Sequence, residues 1–195
     1  MKQKQPTTNY RLWERGMHLG LAAFGIAAFL TGDWADDGTN STGYLLHAYL
    51  GLSLGAVALL RVAEGLTGRR PMRFSSWSPF DRRQWELALT DLRQMARFRL
   101  PERGMHEGLA GLVQAFGLAV FAWMAATGTA MYFMVGSLSH DSYELLEEVH
   151  EIGEGLIPAY LVLHVGAVLL HSISGDPVWQ RMFTLRSAAR DRTLD

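Results

Sequence analysis

Two histidines, His150 and His164, lie fourteen residues apart in an apolar segment, EVHEIGEGLIPAYLVLHVGAVLLH, that ends on a third, His171. On a helix, fourteen residues are about four turns, so the first two imidazoles point within roughly 40° of each other, about 21 Å apart along the axis. An imidazole is polar and needs a partner wherever the surroundings are apolar. In such places it acts as a metal ligand or as part of a proton path. A spacing of this size suits two redox metal centres, haem irons foremost, held one above the other on a single helix face. Each iron then needs a second axial imidazole from a facing element at the same level.

The elements that must position these groups are long and apolar. Four stretches carry almost no charge: Gly16 to Gly32, Gly43 to Leu60, Gly108 to Leu138 and Gly155 to Gly175. Each approaches or exceeds the roughly 20 residues that span a bilayer as a helix. They are apolar on nearly every face, whereas a soluble core helix keeps a polar one. The expected fold class is all-α: one domain over residues 1–195, an integral membrane four-helix bundle. Its helices are expected at about 12–32, 43–65, 105–135 and 149–174, with a linker over 66–104. The first span resembles a signal-peptide core in length, but its removal would discard His18, so it is expected to be retained. Within the linker, DRRQWELALTDLRQMARF sets Trp85, Leu89 and Leu92 at helical spacing with arginines on other faces. It reads as an amphipathic helix at the membrane surface, ended by Pro101. Pro158 is expected to kink the last span.

Charge placement orients the bundle. Every Lys and Arg falls before the first span, in the stretch from Arg61 to Arg103, or in the tail from Arg181 onward. The two remaining loops, around Asp33–Tyr44 and His140–Glu154, carry only acids. Positive residues stay on the cytoplasmic side, so both termini are expected inside, in a multi-pass protein of a bacterial inner membrane. The formal net charge of −1 conceals this polarity. With no cysteine in the chain, cysteine-ligated iron–sulfur clusters, disulfides and covalently attached c-type haem are excluded.

On that topology the histidines sort by depth. His47 meets His150 at the outer level, and His18 meets His164 at the inner level. These four are the candidate haem-iron ligands. His171, seven residues beyond His164 on the same face, competes as the inner ligand. Gly51 and Gly55 follow His47 at intervals of four and leave either a gap for a porphyrin or an ordinary helix-packing groove. Arg61, fourteen residues after His47, either pairs with a haem propionate or extends its head to the inner surface. His106, at the inner mouth of the third span, is a candidate for quinone or proton exchange, with Glu107 beside it. His140 reads as solvated in an outer loop.

Three stretches carry a family resemblance: RLWERGMHLGLAAFGIAAFLTG, LLHAYLGLSLGAVALLRVAEGLTG and HEIGEGLIPAYLVLHVGAVLLHSISGDPVWQRMF. From about Tyr10 to Phe183 the chain resembles the b-type cytochrome subunits of nickel–iron hydrogenases and the related bacterial cytochrome b-561 superfamily. The resemblance implies two non-covalent haem b groups held by His18, His47, His150 and His164, and it favours His164 over His171. Two departures stand out. Leu19 follows His18 where the family often has Trp, and GMHEGLAG puts Glu107 and Gly108 where many hydrogenase-type members have Asn-Pro.

The function implied is electron transfer between a periplasmic redox partner and the quinone pool of a respiratory chain. The partner would be a hydrogenase-like subunit or a c-type cytochrome; membrane lipid is the other partner, and nucleic acid is not one. A stand-alone quinone oxidoreductase fed by a small donor such as superoxide is the alternative, although acidic outer loops steer an anion away. A haem-free metal transporter would need histidines along one continuous path rather than at two levels.

Overall fold

A computed structural model describes residues 10–69, 72–101 and 106–183. The described residues are helical with no strand: α1 (Leu12–Leu30), α2 (Thr42–Thr67), α3 (Arg82–Met95), α4 (Leu109–Met134), α5 (His140–Ile173) and a single turn, α6 (Gln180–Phe183). Short 3-10 turns at Gly32–Asp37 and Phe74–Ser76 join the first elements. Among the described residues three helices are long and apolar enough to cross a membrane: α2, α4 and α5. Helix α1 has 19 residues and takes Glu14 and Arg15 into its first turns.

The bundle is a chain of neighbours in which α1 packs on α2, α2 on α4 and α4 on α5. Its centre is a dry cluster of Val120 and Met124 from α4 with Ile157 from α5, to which α1 adds Phe29. Ile157 lies seven residues from His150 and seven from His164, so this plug separates the two histidine levels. The outside is apolar as well: Val162 is 73 % exposed and Leu59 72 %. Side chains this apolar face lipid, since water would penalise each of them by about 1.5–3 kcal/mol relative to burial.

Three boundaries differ from expectation. The last long helix begins at His140, nine residues before the expected start at 149, so His140–Glu154 is no loop. Ser139 caps it by accepting the Ser142 backbone N–H, and Asp141 stands in the first turn, where the helix dipole favours negative charge. With neither Gly nor Pro before Gly153, nothing interrupts the propagating turns. The helix also continues through Pro158, whose ring sits on the exposed face. Helix α3 ends at Met95 rather than at Pro101, and Phe98 beyond it takes φ +54°. The expected third-span start at 105 lies outside the described residues; the described helix starts at Leu109.

Helix α3 lies against α4 in an unexpected way. Trp85, Leu89 and Leu92 are about half exposed, as an interfacial helix requires, while the face turned to the protein carries Gln84, Ala88 and Asp91. Asp91 is 1 % exposed and accepts the Leu109 backbone N–H at 3.0 Å. It thereby caps α4 from a distance, at the helix end where a carboxylate is favoured. Gln84 Nε2 donates to the carbonyls of His106 (2.8 Å) and Gly108 (3.3 Å). Both approaches need glycine on α4: a Cβ at Gly108 would meet the Asp91 carboxylate, and one at Gly111 would meet Gln84. Gly108 also sits at φ +62°.

Replacing Asp91 by Ala removes the cap and strands a buried N–H. The expected loss is about 1–2 kcal/mol, visible as a lower thermal midpoint of the detergent-solubilised protein, whereas Glu86→Ala on the exposed face leaves it unchanged.

Candidate haem-binding site

Four of the seven histidines come together in two facing pairs. His47 of α2 faces His150 of α5 with ring centres 6.3 Å apart and planes at 85°. His18 of α1 faces His164 of α5 with centres 6.0 Å apart and planes at 45°. A ligating imidazole nitrogen lies about 2 Å from its metal with the ring centre about 1 Å further back, so two imidazoles on one metal have centres about 6 Å apart. Both pairs meet that spacing. Among the described residues no group of three or more His, Cys, Asp or Glu could hold a metal ion. Each pair therefore offers two protein ligands, which suits a macrocycle that brings its own equatorial nitrogens.

The hydrogen bonds around the pair nearer the acidic end point the same way. His47 Nδ1 lies 3.0 Å from the Ala28 carbonyl, which can only accept. The proton is therefore on Nδ1, and Nε2 keeps its lone pair for a metal. His150 Nδ1 lies 2.7 Å from Thr127 Oγ1, while that hydroxyl stands 2.9 Å from the Trp123 carbonyl. Thr127 thus donates to its own helix and accepts from His150, again freeing Nε2. Neither partner had a signal in the sequence, because a backbone carbonyl and a mid-helix threonine acquire the role only through packing.

The pair nearer the arginine-rich end is held differently. His18 Nδ1 is buried without a hydrogen-bond partner. The His164 ring is stacked on Tyr160, one turn earlier on α5, at 5.5 Å and 19°. Among the described residues His171 faces no ring; its backbone carbonyl accepts from Asp176 N–H after the last turn. The structure thus sets His164, not His171, opposite His18.

The remaining candidates separate by their surroundings. At Gly51 an added Cβ would meet nothing within 4 Å, whereas at Gly55 it would press on Ala125 of α4 at 3.3 Å. Gly51 leaves room beside His47, and Gly55 serves helix packing. Arg61 is 6 % exposed and does not extend its head to the surface. Its guanidinium lies over Phe74 (5.6 Å) and Trp77 (5.7 Å), with Nη1 3.5 Å from the Met72 carbonyl. Stacking of this kind fixes the 72–77 segment against α2. His140 opens α5 and is exposed.

His106 precedes α4, outside the spanning helices, with φ +61°. It lies between Trp77 (5.6 Å) and Tyr10 (6.3 Å), and its Nε2 is buried without a hydrogen-bond partner. Burial, then the positive charge of Arg61, push its pKa down to about 4, while a side-chain interaction with Gln114 works the other way. His106 is accordingly neutral at physiological pH. Glu107 next to it is partly exposed, 4.0 Å from Arg83.

Comparison with known proteins fits this geometry. A family model described as prokaryotic cytochrome b561 matches residues 9–185. The chain belongs to that family. It is a membrane b-type cytochrome of prokaryotic type, with helices that cross the bilayer, bound b-type haem and a role in electron transfer. No curated protein and no solved structure matches the chain.

The depressed pKa of His106 has a consequence for this cytochrome. Between pH 6.5 and about 4 the unfolded chain binds a proton there that the folded one does not, so stability falls as pH falls through that window. The part due to His106 is on the order of 3 kcal/mol. Unfolding measured from pH 7 to 4 should show a shallower decline in His106→Gln than in the wild type.

Proposed function

We propose that the chain is a four-helix dihaem cytochrome b that carries electrons across the bacterial inner membrane. In this reading α1 is the fourth span and the arginine-rich end, with both termini, faces the cytoplasm. His47 and His150 would hold an outer haem b, and His18 and His164 an inner one. The observation that carries the reading is the two-level pairing of α5, with partners at 6.3 and 6.0 Å.

Haem b, when bound, supplies reversible one-electron chemistry at iron. The chain's own residues decide what that chemistry is used for. Two imidazoles from the chain would hold each haem, which would leave no open site for oxygen or peroxide and favour electron transfer over substrate chemistry. Ala28 and Thr127 hold the outer imidazoles in the ligating tautomer. The Val120, Met124 and Ile157 plug keeps water from the space between levels.

Electrons exchange at the outer end with a periplasmic redox partner, a hydrogenase-like subunit or a c-type cytochrome. The acids Asp33, Asp141, Glu144, Glu147, Glu148 and Glu151 at that end favour a basic docking face and disfavour a small anionic donor. At the inner end the acceptor or donor is quinone, whose reduction also consumes protons. His106, neutral and half-buried, and Glu107, reaching solvent, are the groups assigned to pass them.

A reduced-minus-oxidised spectrum with a haem count on the purified protein tests this. Two non-covalent haems per chain are expected. His47→Ala and His150→Ala should each remove the same haem, His18→Ala and His164→Ala the other, and His171→Ala neither. One haem per chain, or a His171 variant that loses haem, would overturn the ligand assignment. Quinone reduction by the isolated chain with superoxide as sole donor, at rates unaffected by a periplasmic cytochrome, would overturn the partner assignment.

A further inference from the structure

The two facing pairs are supported by different means, and the difference singles out one residue that is not itself a ligand. On the His47–His150 side, each ring is fixed by a hydrogen bond from Nδ1. On the other side His18 Nδ1 has no hydrogen-bond partner, and what lies flat against His164 is the ring of Tyr160.

Tyr160 is itself held on several sides. Phe121 and Phe116 of α4 make T-shaped contacts with it, at 5.7 and 6.4 Å. Its ring lies directly over Gly117, so closely that a Cβ there would collide with the ring carbons. The glycine is the seat that allows a phenol to lie between α4 and α5. Two T-shaped aromatic contacts and a backbone restrict the ring, and the imidazole stacked on it at 19° takes its orientation from it. Among the described residues no ring is stacked on His171.

We infer that Tyr160, seated on Gly117, is the positioning residue for His164: it fixes the imidazole plane and selects this histidine over His171 as the partner of His18. The inference rests on the dihaem reading and extends it. It has a spectroscopic signature, because the two pairs differ in plane angle, 85° for His47–His150 and 45° for His18–His164. Nearly perpendicular axial imidazoles leave two iron d orbitals almost degenerate and give a low-field, strongly axial ferric signal. Planes closer to parallel split those orbitals and give a more rhombic one. The two haems are therefore distinguishable in a single paramagnetic resonance spectrum.

The experiment compares Tyr160→Leu, Tyr160→Phe and Gly117→Ala with the wild type, as full chains purified in detergent and oxidised. Leucine fills similar space without a ring face, and phenylalanine keeps the face without the hydroxyl. The expected result is that Tyr160→Leu and Gly117→Ala shift or split the rhombic signal and move the midpoint potential of that haem, while the axial signal and its potential stay put. Tyr160→Phe should match the wild type. Equal shifts in the Leu and Phe variants, or no shift in either Tyr160→Leu or Gly117→Ala, would overturn the inference. If Tyr160→Leu does not accumulate, Gly117→Ala decides by the same criterion. Failure of the dihaem reading is recognised separately, by a wild-type protein holding fewer than two haems.

Discussion

The constraint on which the bundle rests is that a low-dielectric interior penalises a polar group without a partner, by roughly 1–3 kcal/mol for a neutral one in protein mutational data. Four imidazoles inside apolar helices would be a large burden if they were merely buried. They are not distributed as such groups usually are, each beside a carboxylate or a water channel. They face each other in twos, at a distance that neither hydrogen-bonds directly nor closes by packing. Two imidazoles whose ring centres stand 6.0 and 6.3 Å apart leave polar nitrogens without a partner unless a metal stands between them. The bundle is built around that requirement, and b-type haem in this family meets it.

Helix α4 carries no histidine, yet it sets the gap. It contacts α2 on one side and α5 on the other, so its thickness keeps His47 and His150 at their separation. Small residues tune the approach. A Cβ at Gly128 would stand 3.2 Å from the His150 ring, Ala125 meets Gly55 of α2, and Gly117 receives Tyr160. Large ones fill the middle, where Val120 and Met124 exclude water between the two levels. The helix that looks least functional in composition is therefore the one that holds the ligand-bearing helices in register.

The chemistry was more legible in the sequence than the support for it. Fourteen-residue spacing fixes two levels on one face by helix geometry alone, and charge segregation sorts the helix ends, so the pairing of His47 with His150 could be anticipated. Opposite His18, depth left His164 and His171 in competition, and only the family resemblance favoured His164. Arg61 was less readable: a cation at the end of an apolar helix suggests a propionate or the surface, and the pull of Phe74 and Trp77 becomes apparent only once the 72–77 segment folds back over it. The start of α5 lies outside what the sequence suggests because a run of acids reads as a loop, although Asp141 and Glu144 near a helix N-terminus are favoured by the dipole. Thr127 and Ala28 were out of reach, since their roles come from neighbours on other helices.

The departure at Glu107-Gly108 becomes intelligible in the fold. Proline fixes φ near −65°, whereas Gly108 sits at +62°. A proline at this position could not adopt this backbone, nor admit the Asp91 carboxylate at the distance observed. Proline at the start of a helix dispenses with an N–H that has no partner inside the helix. This chain keeps its N–H groups and satisfies one of them from α3, through Asp91 to Leu109, while Gln84 ties down the carbonyls of His106 and Gly108. The two solutions are alternatives, and the second makes the amphipathic helix an integral part of the bundle. It also ties the left-handed backbone of His106 to α3, so the residue assigned to proton transfer is anchored by a helix whose other face exposes Trp85, Leu89 and Leu92.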